Sequence, residues 1–222
     1  AGGKGTRISE YTKTIPKPMI KIGKIPIIEH IINIYFKYGV KKIIIAAGYR
    51  SNIIKSYFSK RKNIHVVNTG INSLTGLRIK KLEKIIGPQR FFLTYGDGLS
   101  NIKIRNLLKD HIKSKKIATM TIVHPPARFG EVEFKNKLIS KFEEKPQLQR
   151  GWINGGFFVF EPNFFKLLTN KNVMLERDPL LALVKKKQLN AYVHKGFWYC
   201  MDNLRDKEML EKLNKRKISP WK

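Results

Sequence analysis

Short, continuous apolar runs separated by stretches with helical spacing restrict this chain to one class of architecture. Lys42-Ile43-Ile44-Ile45-Ala46-Ala47 stops at Gly48, His65-Val66-Val67 follows, and Arg90-Phe91-Phe92-Leu93-Thr94 runs into Tyr95-Gly96-Asp97. Runs of this kind mark strands buried on both faces, as in parallel sheets. Between them, Ile28, Ile31, Ile32 and Tyr35 recur at helical spacing, and Gly39 supplies a stop, which predicts a helix over 25–38. Ser51 caps a second helix to Phe58, and a third passes through Arg78, Lys81 and Ile85. This βαβ alternation predicts an α/β fold with a mixed, mostly parallel sheet flanked by helices. In such sheets ligands bind beyond the carboxyl ends of the strands, where Asp97 falls.

After a helix over 102–114 and a strand over 118–123 the pattern changes to strands and turns, over 132–134, 138–143 and 155–160. That stretch predicts a small antiparallel excursion over the sheet edge, before helices return over 163–168, 179–187 and 203–215. The 222 residues, 42% of them hydrophobic, suffice for one core, so residues 1–222 are expected to form a single domain. No apolar run reaches the roughly 18 residues of a membrane span, and a charged-then-apolar signal segment is not found in these 222 residues, so neither is expected. The single cysteine, Cys200, excludes an intramolecular disulfide, and a cytoplasmic location is expected. Cys200 stands two residues from Asp202, yet a buried free thiol is the plainer reading. The formal charge of +29 suggests a nucleic-acid or anionic-membrane partner, but the lysines are scattered through every segment, with no dense arm and no aromatic platform. Neither nucleic acid nor membrane is expected as a partner; a general attraction for anionic substrates is.

Ala1-Gly2-Gly3-Lys4-Gly5-Thr6-Arg7 lets backbone N–H groups approach phosphate oxygens, and Thr6 and Arg7 add a hydroxyl and a guanidinium. A Gly-rich stretch alone is as often an ordinary turn. Pro16-Lys17-Pro18-Met19 sharpens the reading, because each proline restrains its neighbourhood and Lys17 then sits on a stiff strut. Asp97 and Asp202 each end an apolar stretch; two converging carboxylates suit a hard divalent cation, whereas singly each would read as a turn or cap.

With Tyr95-Gly96-Asp97-Gly98, Arg128-Phe129-Gly130, Glu144-Lys145-Pro146, Trp152-Ile153-Asn154-Gly155-Gly156, Phe197-Trp198 before Met201-Asp202, and Pro220-Trp221-Lys222, the chain resembles the sugar-1-phosphate nucleotidylyltransferases over essentially its whole length. Within them it is similar to the branch that joins CTP to glucose 1-phosphate. The resemblance implies a Rossmann-like nucleotide-diphospho-sugar transferase fold, Mg²⁺ as cofactor, and formation of CDP-glucose and pyrophosphate. It implies a catalytic role for Arg7, Lys17 and Asp97, and metal binding by Asp97 and Asp202. Nucleotide would be bound by Ala1, Gly2, Gly3, Lys4, Gly5, Thr6, Arg7, Lys17, Ser73, Thr75, Arg78 and Gly96. The sugar phosphate would meet Gly130, Glu144, Lys145 and Asn154, although Glu143-Glu144-Lys145 by composition alone reads as a solvated charge run. Trp152 and Trp198 stack on a ligand or pack in the core; the five histidines show no metal-ligand spacing.

Leu77 replaces a glycine usual in that branch, which keeps dTTP, UTP or GTP, or another hexose, as alternatives; a catalytically inactive paralogue is a further one. The resemblance also implies an apolar strand before the Gly-rich loop, so a piece lacking its first strand is expected. A homo-oligomer is expected as well, although the segment from Lys60 to His65 is shorter than its counterparts near subunit contacts.

Overall fold

The computed structural model describes residues 1–125, 131–143 and 151–222. A short 3-10 helix (Thr6–Ile8) and α1 (Ser9–Thr12) follow the Gly-rich start. The hairpin β1 (Lys21–Ile22) and β2 (Ile25–Pro26) precedes α2 (Ile27–Lys37). That helix begins later than its periodicity predicts because Ile25 pairs with Ile22 and Pro26 occupies the N-cap. Next come β3 (Ile43–Ala47), α3 (Ser51–Tyr57) and β4 (Ile64–Asn68). The expected third helix is two, α4 (Thr75–Lys80) and α5 (Glu83–Ile86). They part where Leu82 turns into the core and Lys81 Nζ donates to Thr69 O at 2.8 Å. The chain continues with β5 (Phe91–Thr94), β6 (Gly98–Ser100), α6 (Ile104–Ser114) and β7 (Ala118–Val123). The hairpin β8 (Glu131–Lys135) and β9 (Leu138–Glu143) stands beside β10 (Ile153–Phe160) in sequence. A 3-10 helix (Pro162–Leu167) replaces the expected α-helix there, then α7 (Asp178–Lys185), β11 (Leu189–Val193), β12 (Trp198–Cys200) and α8 (Leu204–Asn214) complete the order. No helix among the described residues is long and apolar enough to cross a membrane.

The largest sheet has the order β11-β7-β10-β5. Because β10 is antiparallel to both β5 and β7, and β11 is parallel to β7, three strands run one way and β10 alone runs the other. β10 was expected in the antiparallel excursion; it lies instead inside this sheet, with Phe157, Phe158, Val159 and Phe160 all buried. A strand segment buried on both faces must be apolar, and Phe157 to Phe160 are. Only the β8–β9 hairpin, paired with itself, keeps the excursion's character. The architecture is α/β, with β3 and β4 forming a second, parallel pair.

Helix α2 is buried almost all round: Ile27, Ile31, Ile34 and Tyr35 face one core cluster, Ile28 and Ile32 another against β3 and Phe58. A third cluster gathers Phe158, Phe160, Phe164 and Phe165, with Phe160 and Phe164 stacked at 4.1 Å. Truncating Phe160 to alanine would cost about 3–5 kcal/mol. Between β3 and β5 lies a cavity of about 440 Å³, walled by Ile28, Ile31 and Ile32 of α2 and by Ile79, Leu82 and Ile86. Among the described residues β3 pairs with β4 alone and β5 with β10 alone, so each keeps one unpaired edge.

Candidate active site

The glycine-rich segment begins the site, and Gly5 shows why glycine is needed there. Its φ is +66°, and a Cβ would stand 2.9 Å from Thr12 Cγ2 and 3.0 Å from Lys17 Cβ. The loop therefore packs directly on the lysine strut, where Pro16 is extended and Lys17–Met19 form one 3-10 turn. From that strut Lys17 Nζ donates to Asp97 Oδ2 at 2.7 Å and to Asp202 Oδ1 at 2.8 Å. Burial, the largest influence, pulls the Lys17 ammonium down, but the Asp97 charge and the hydrogen bonds to both carboxylates outweigh it, and the ammonium is held above the usual lysine value. Arg7 Nη1 reaches Asp202 Oδ2 at 3.0 Å from an exposed position.

Strand pairing brings the two aspartates together. β6 and β12 are antiparallel with Gly98 opposite Cys200, and Met201 N–H donates to Asp97 O at 2.9 Å. Asp202 N–H in turn donates to Asp206 Oδ2, the residue that closes the capping box of α8 with Asn203. Asp97, Cys200 and Asp202 each offer a ligand atom, all within 4.8 Å of one another. Burial, then the two aspartate charges, pushes the Cys200 thiol up, so it stays protonated. The Lys17 ammonium lies between the carboxylates as a cation would, and two carboxylates fit a hard divalent metal.

These groups share one cleft of about 500 Å³, walled also by Ala1, Gly2, Gly3, Gly5, Thr6, Thr75, Arg78, Tyr95, Gly96 and Glu176. Arg78 is buried, and its guanidinium donates to Ala47 O, Thr69 Oγ1, Gly70 O, Gly2 O and Ile71 O at 2.7–3.2 Å. Burial holds its pKa below the usual value. A Cβ on Gly2 would sit 2.1 Å from Arg78 Cζ, so this glycine admits the clamp that holds its own carbonyl.

Other expected residues stand apart from the cleft wall. Lys4 is exposed. Ser73 is engaged in its own turn, donating to Thr69 O and accepting from Lys81 Nζ. Asn154 donates to the Tyr95 hydroxyl at 3.1 Å, and its Oδ1 accepts Gly156 N–H at 2.8 Å. Gly130, Glu144 and Lys145 lie outside the described residues. Trp198 Nε1 donates to Gly155 O, and Trp152 packs against His124 with the rings tilted. Glu176 has no counterpart among the expected residues: it accepts from the hydroxyls of Thr75 and Tyr95, and its sequence context, Leu175-Glu176-Arg177-Asp178, carries no signal beyond charge.

The model of the nucleotidyl transferase family matches residues 1–203. The chain belongs to that family. It is an enzyme of the nucleotidyltransferase class, whose members generally use a divalent metal. Relatives named glucose-1-phosphate cytidylyltransferase, from Salmonella typhimurium and Salmonella typhi, are each 38% identical over 248 aligned positions, covering 100% of this chain and 96% of theirs. Among solved structures, UDP-glucose pyrophosphorylase complexed with UDP-glucose superposes with a TM-score of 0.74 at 20% identity, over 98% of this chain and 97% of that one. That likeness shows a shared fold.

Proposed function

We propose that this chain joins CTP to glucose 1-phosphate, releasing pyrophosphate and forming CDP-glucose. The observation that carries the reading is the Lys17 ammonium bridged between Asp97 and Asp202 in a cleft walled by the Gly-rich loop. The full-length similarity to the Salmonella cytidylyltransferases supports the choice of substrates.

A phosphate oxygen of the sugar phosphate attacks the α-phosphorus of CTP, and pyrophosphate leaves. The attacking oxygen is already ionised at neutral pH, so no general base is required, and the work is alignment and charge neutralisation. The N–H groups of Gly2, Gly3 and Gly5 face the triphosphate, Thr6 and Arg7 add donors, and Lys17 turns from the carboxylates toward the reacting phosphate. Asp97 and Asp202 would hold Mg²⁺, which when bound neutralises phosphate charge as a Lewis acid. Arg78 acts from behind, fixing the Gly2 carbonyl so that the loop keeps its shape. Thr75 stands on the nucleobase side and Asn154 on the sugar side, where the resemblance also places Glu144 and Lys145. A single thiol and phosphorylated metabolites as reactants suit the reducing cytoplasm.

Pyrophosphate release from a panel of CTP, dTTP, UTP and GTP, each with and without glucose 1-phosphate and Mg²⁺, tests this. CTP should be turned over fastest, and only with the sugar phosphate present. Equal or better turnover with another nucleotide would overturn the cytidylyl assignment and leave the reaction class standing; Leu77, on α4 beside Arg78, would then be the first residue to vary.

A further inference from the structure

Two parts of the cleft that are remote in sequence meet on one carboxylate. The Thr75 hydroxyl donates to Glu176 Oε2 at 2.8 Å, and the Tyr95 hydroxyl donates to Oε1, across 101 and 81 positions. Each oxygen thus holds a different wall. On one side the start of α4 is stitched to the same segment: Leu175 N–H donates to Thr75 Oγ1 at 2.7 Å, and Gly76 N–H to Val173 O at 3.0 Å. A Cβ on Gly76 would approach Val173 O to 2.9 Å, so the glycine permits this contact. On the other side Tyr95 passes the constraint onward. Its hydroxyl gives its proton to Glu176 and accepts Asn154 Nδ2–H, while Asn154 Oδ1 is taken by Gly156 N–H, which leaves one orientation for that amide.

We infer that Glu176 is a positioning residue for both substrates, fixing Thr75 on the nucleobase side and the Tyr95–Asn154 pair on the sugar side in one register. This rests on the two-substrate reading above. The carboxylate is suited to the task because, ionised, it is acceptor-only and takes a charge-assisted bond at each oxygen. Without it, both hydroxyls lose their acceptor in a half-buried setting, and each rotates to another partner.

The experiment is steady-state kinetics on Glu176→Ala, Glu176→Gln, Thr75→Val and Tyr95→Phe, each substrate varied separately. Glu176→Ala should raise the KM of both substrates by about 10-fold, the equivalent of one lost hydrogen bond on each side. Thr75→Val should raise chiefly the nucleotide KM and Tyr95→Phe chiefly the sugar-phosphate KM. Glu176→Gln keeps one acceptor oxygen and should recover one of the two. Adding Tyr95→Phe to Glu176→Ala should leave the sugar-phosphate KM where Glu176→Ala put it, since the bond is already gone. A Glu176→Ala enzyme in which only one KM moves, or kcat falls with both unchanged, overturns the inference. Should Glu176→Ala fail to fold, the glutamine variant and the two single-wall variants decide it by the same split. The wild-type panel identifies the substrate pair beforehand, so a wrong nucleotide or hexose overturns the functional reading alone, and the KM split is then read with the pair that reacts.

Discussion

Lys17 Nζ lies 2.7 Å from Asp97 Oδ2, and the same ammonium reaches Asp202 at 2.8 Å, so one lysine holds in place the two carboxylates that would bind the metal. The lysine and the cation compete for the same oxygens. On the reading proposed above the ammonium is freed for phosphate in the turnover complex, and in the substrate-free protein it screens two like charges that would otherwise repel.

Lys17→Ala should therefore move two measurements in opposite directions. Turnover should fall on the order of 10²-fold or more, because charge on the reacting phosphate goes unneutralised. Divalent-metal binding to the nucleotide-free protein, followed by calorimetry, should tighten, because the competitor is gone. Asp97→Asn and Asp202→Asn should lose turnover to a similar extent and bind metal more weakly. An unchanged or weaker metal affinity in Lys17→Ala would show that the ammonium does not occupy the cation's place.

Much of this site could be read along the chain because its parts are local. Asp97 comes three residues after the apolar run of β5, Lys17 is framed by prolines, and Gly5 needs a positive φ, each a short-range signature. The position of β10 could not be read, since an apolar run states burial and leaves strand order open. Glu176 was invisible for a related reason: its partners, Thr75 and Tyr95, are supplied by other elements, and a glutamate in a charged loop looks the same with or without them. Arg78 was expected at the nucleotide and lines the cleft, while the backbone carbonyls it binds belong to loops whose meeting only the fold arranges.

Arg78→Lys preserves charge and most of the length but replaces a planar fork with a single ammonium. That ammonium has three protons for five acceptors drawn from three segments, so the buried carbonyls of Ala47 or Gly2, or the part-buried one of Gly70, lose a partner. The expected cost is about 1–3 kcal/mol of stability, read by denaturant titration, together with a KM for the nucleotide raised about 10-fold. A stable variant with an unaltered nucleotide KM would remove Arg78 from any role in shaping the Gly-rich loop.

His30 ties the last residues to the core. Its Nε2 lies 2.9 Å from Ile22 O, and Trp221 Nε1 donates to Nδ1 at 3.2 Å, an arrangement that requires the neutral ring. Burial, against a smaller opposing effect of the Ile22 carbonyl, holds its pKa below the usual histidine value of 6.5, with Lys222 lowering it further and Glu29 and Glu211 opposing. Since the folded pKa lies below the unfolded one, the unfolded chain binds the extra proton first. This contribution to stability is complete above pH 6.5 and is lost as pH falls through the folded pKa. Tm should be level above neutrality and drop on the order of a few degrees on acidification, with Trp221 fluorescence changing in step. His111 and His194, also held low chiefly by burial, add to the same slope, so His30→Gln should flatten it in part. A fluorescence response to acid that is identical in His30→Gln would place the titrating group elsewhere.

The cavity between β3 and β5 has the makings of a strand site: two strand edges unpaired among the described residues, apolar helix faces on both sides, and Ala1 and Gly96 at one end. An extended segment there would pair with both edges at once and bury alternate side chains against Ile31 and Leu82, which is the place for the apolar strand expected ahead of the Gly-rich loop. Lengthening the chain before Ala1 by an apolar, β-branched segment should therefore stabilise it, whereas a glycine- and serine-rich segment of equal length should not. Each buried Val, Leu or Ile contributes about 1.5–3 kcal/mol, and about 2–4 °C in Tm accompanies each kcal/mol in a domain of this size. Two such residues predict a rise of at least about 6 °C, with slowed amide exchange along residues 43–46 and 91–94 as the edges gain partners. Equal Tm and exchange for the two extensions would mean that the cavity does not take a strand.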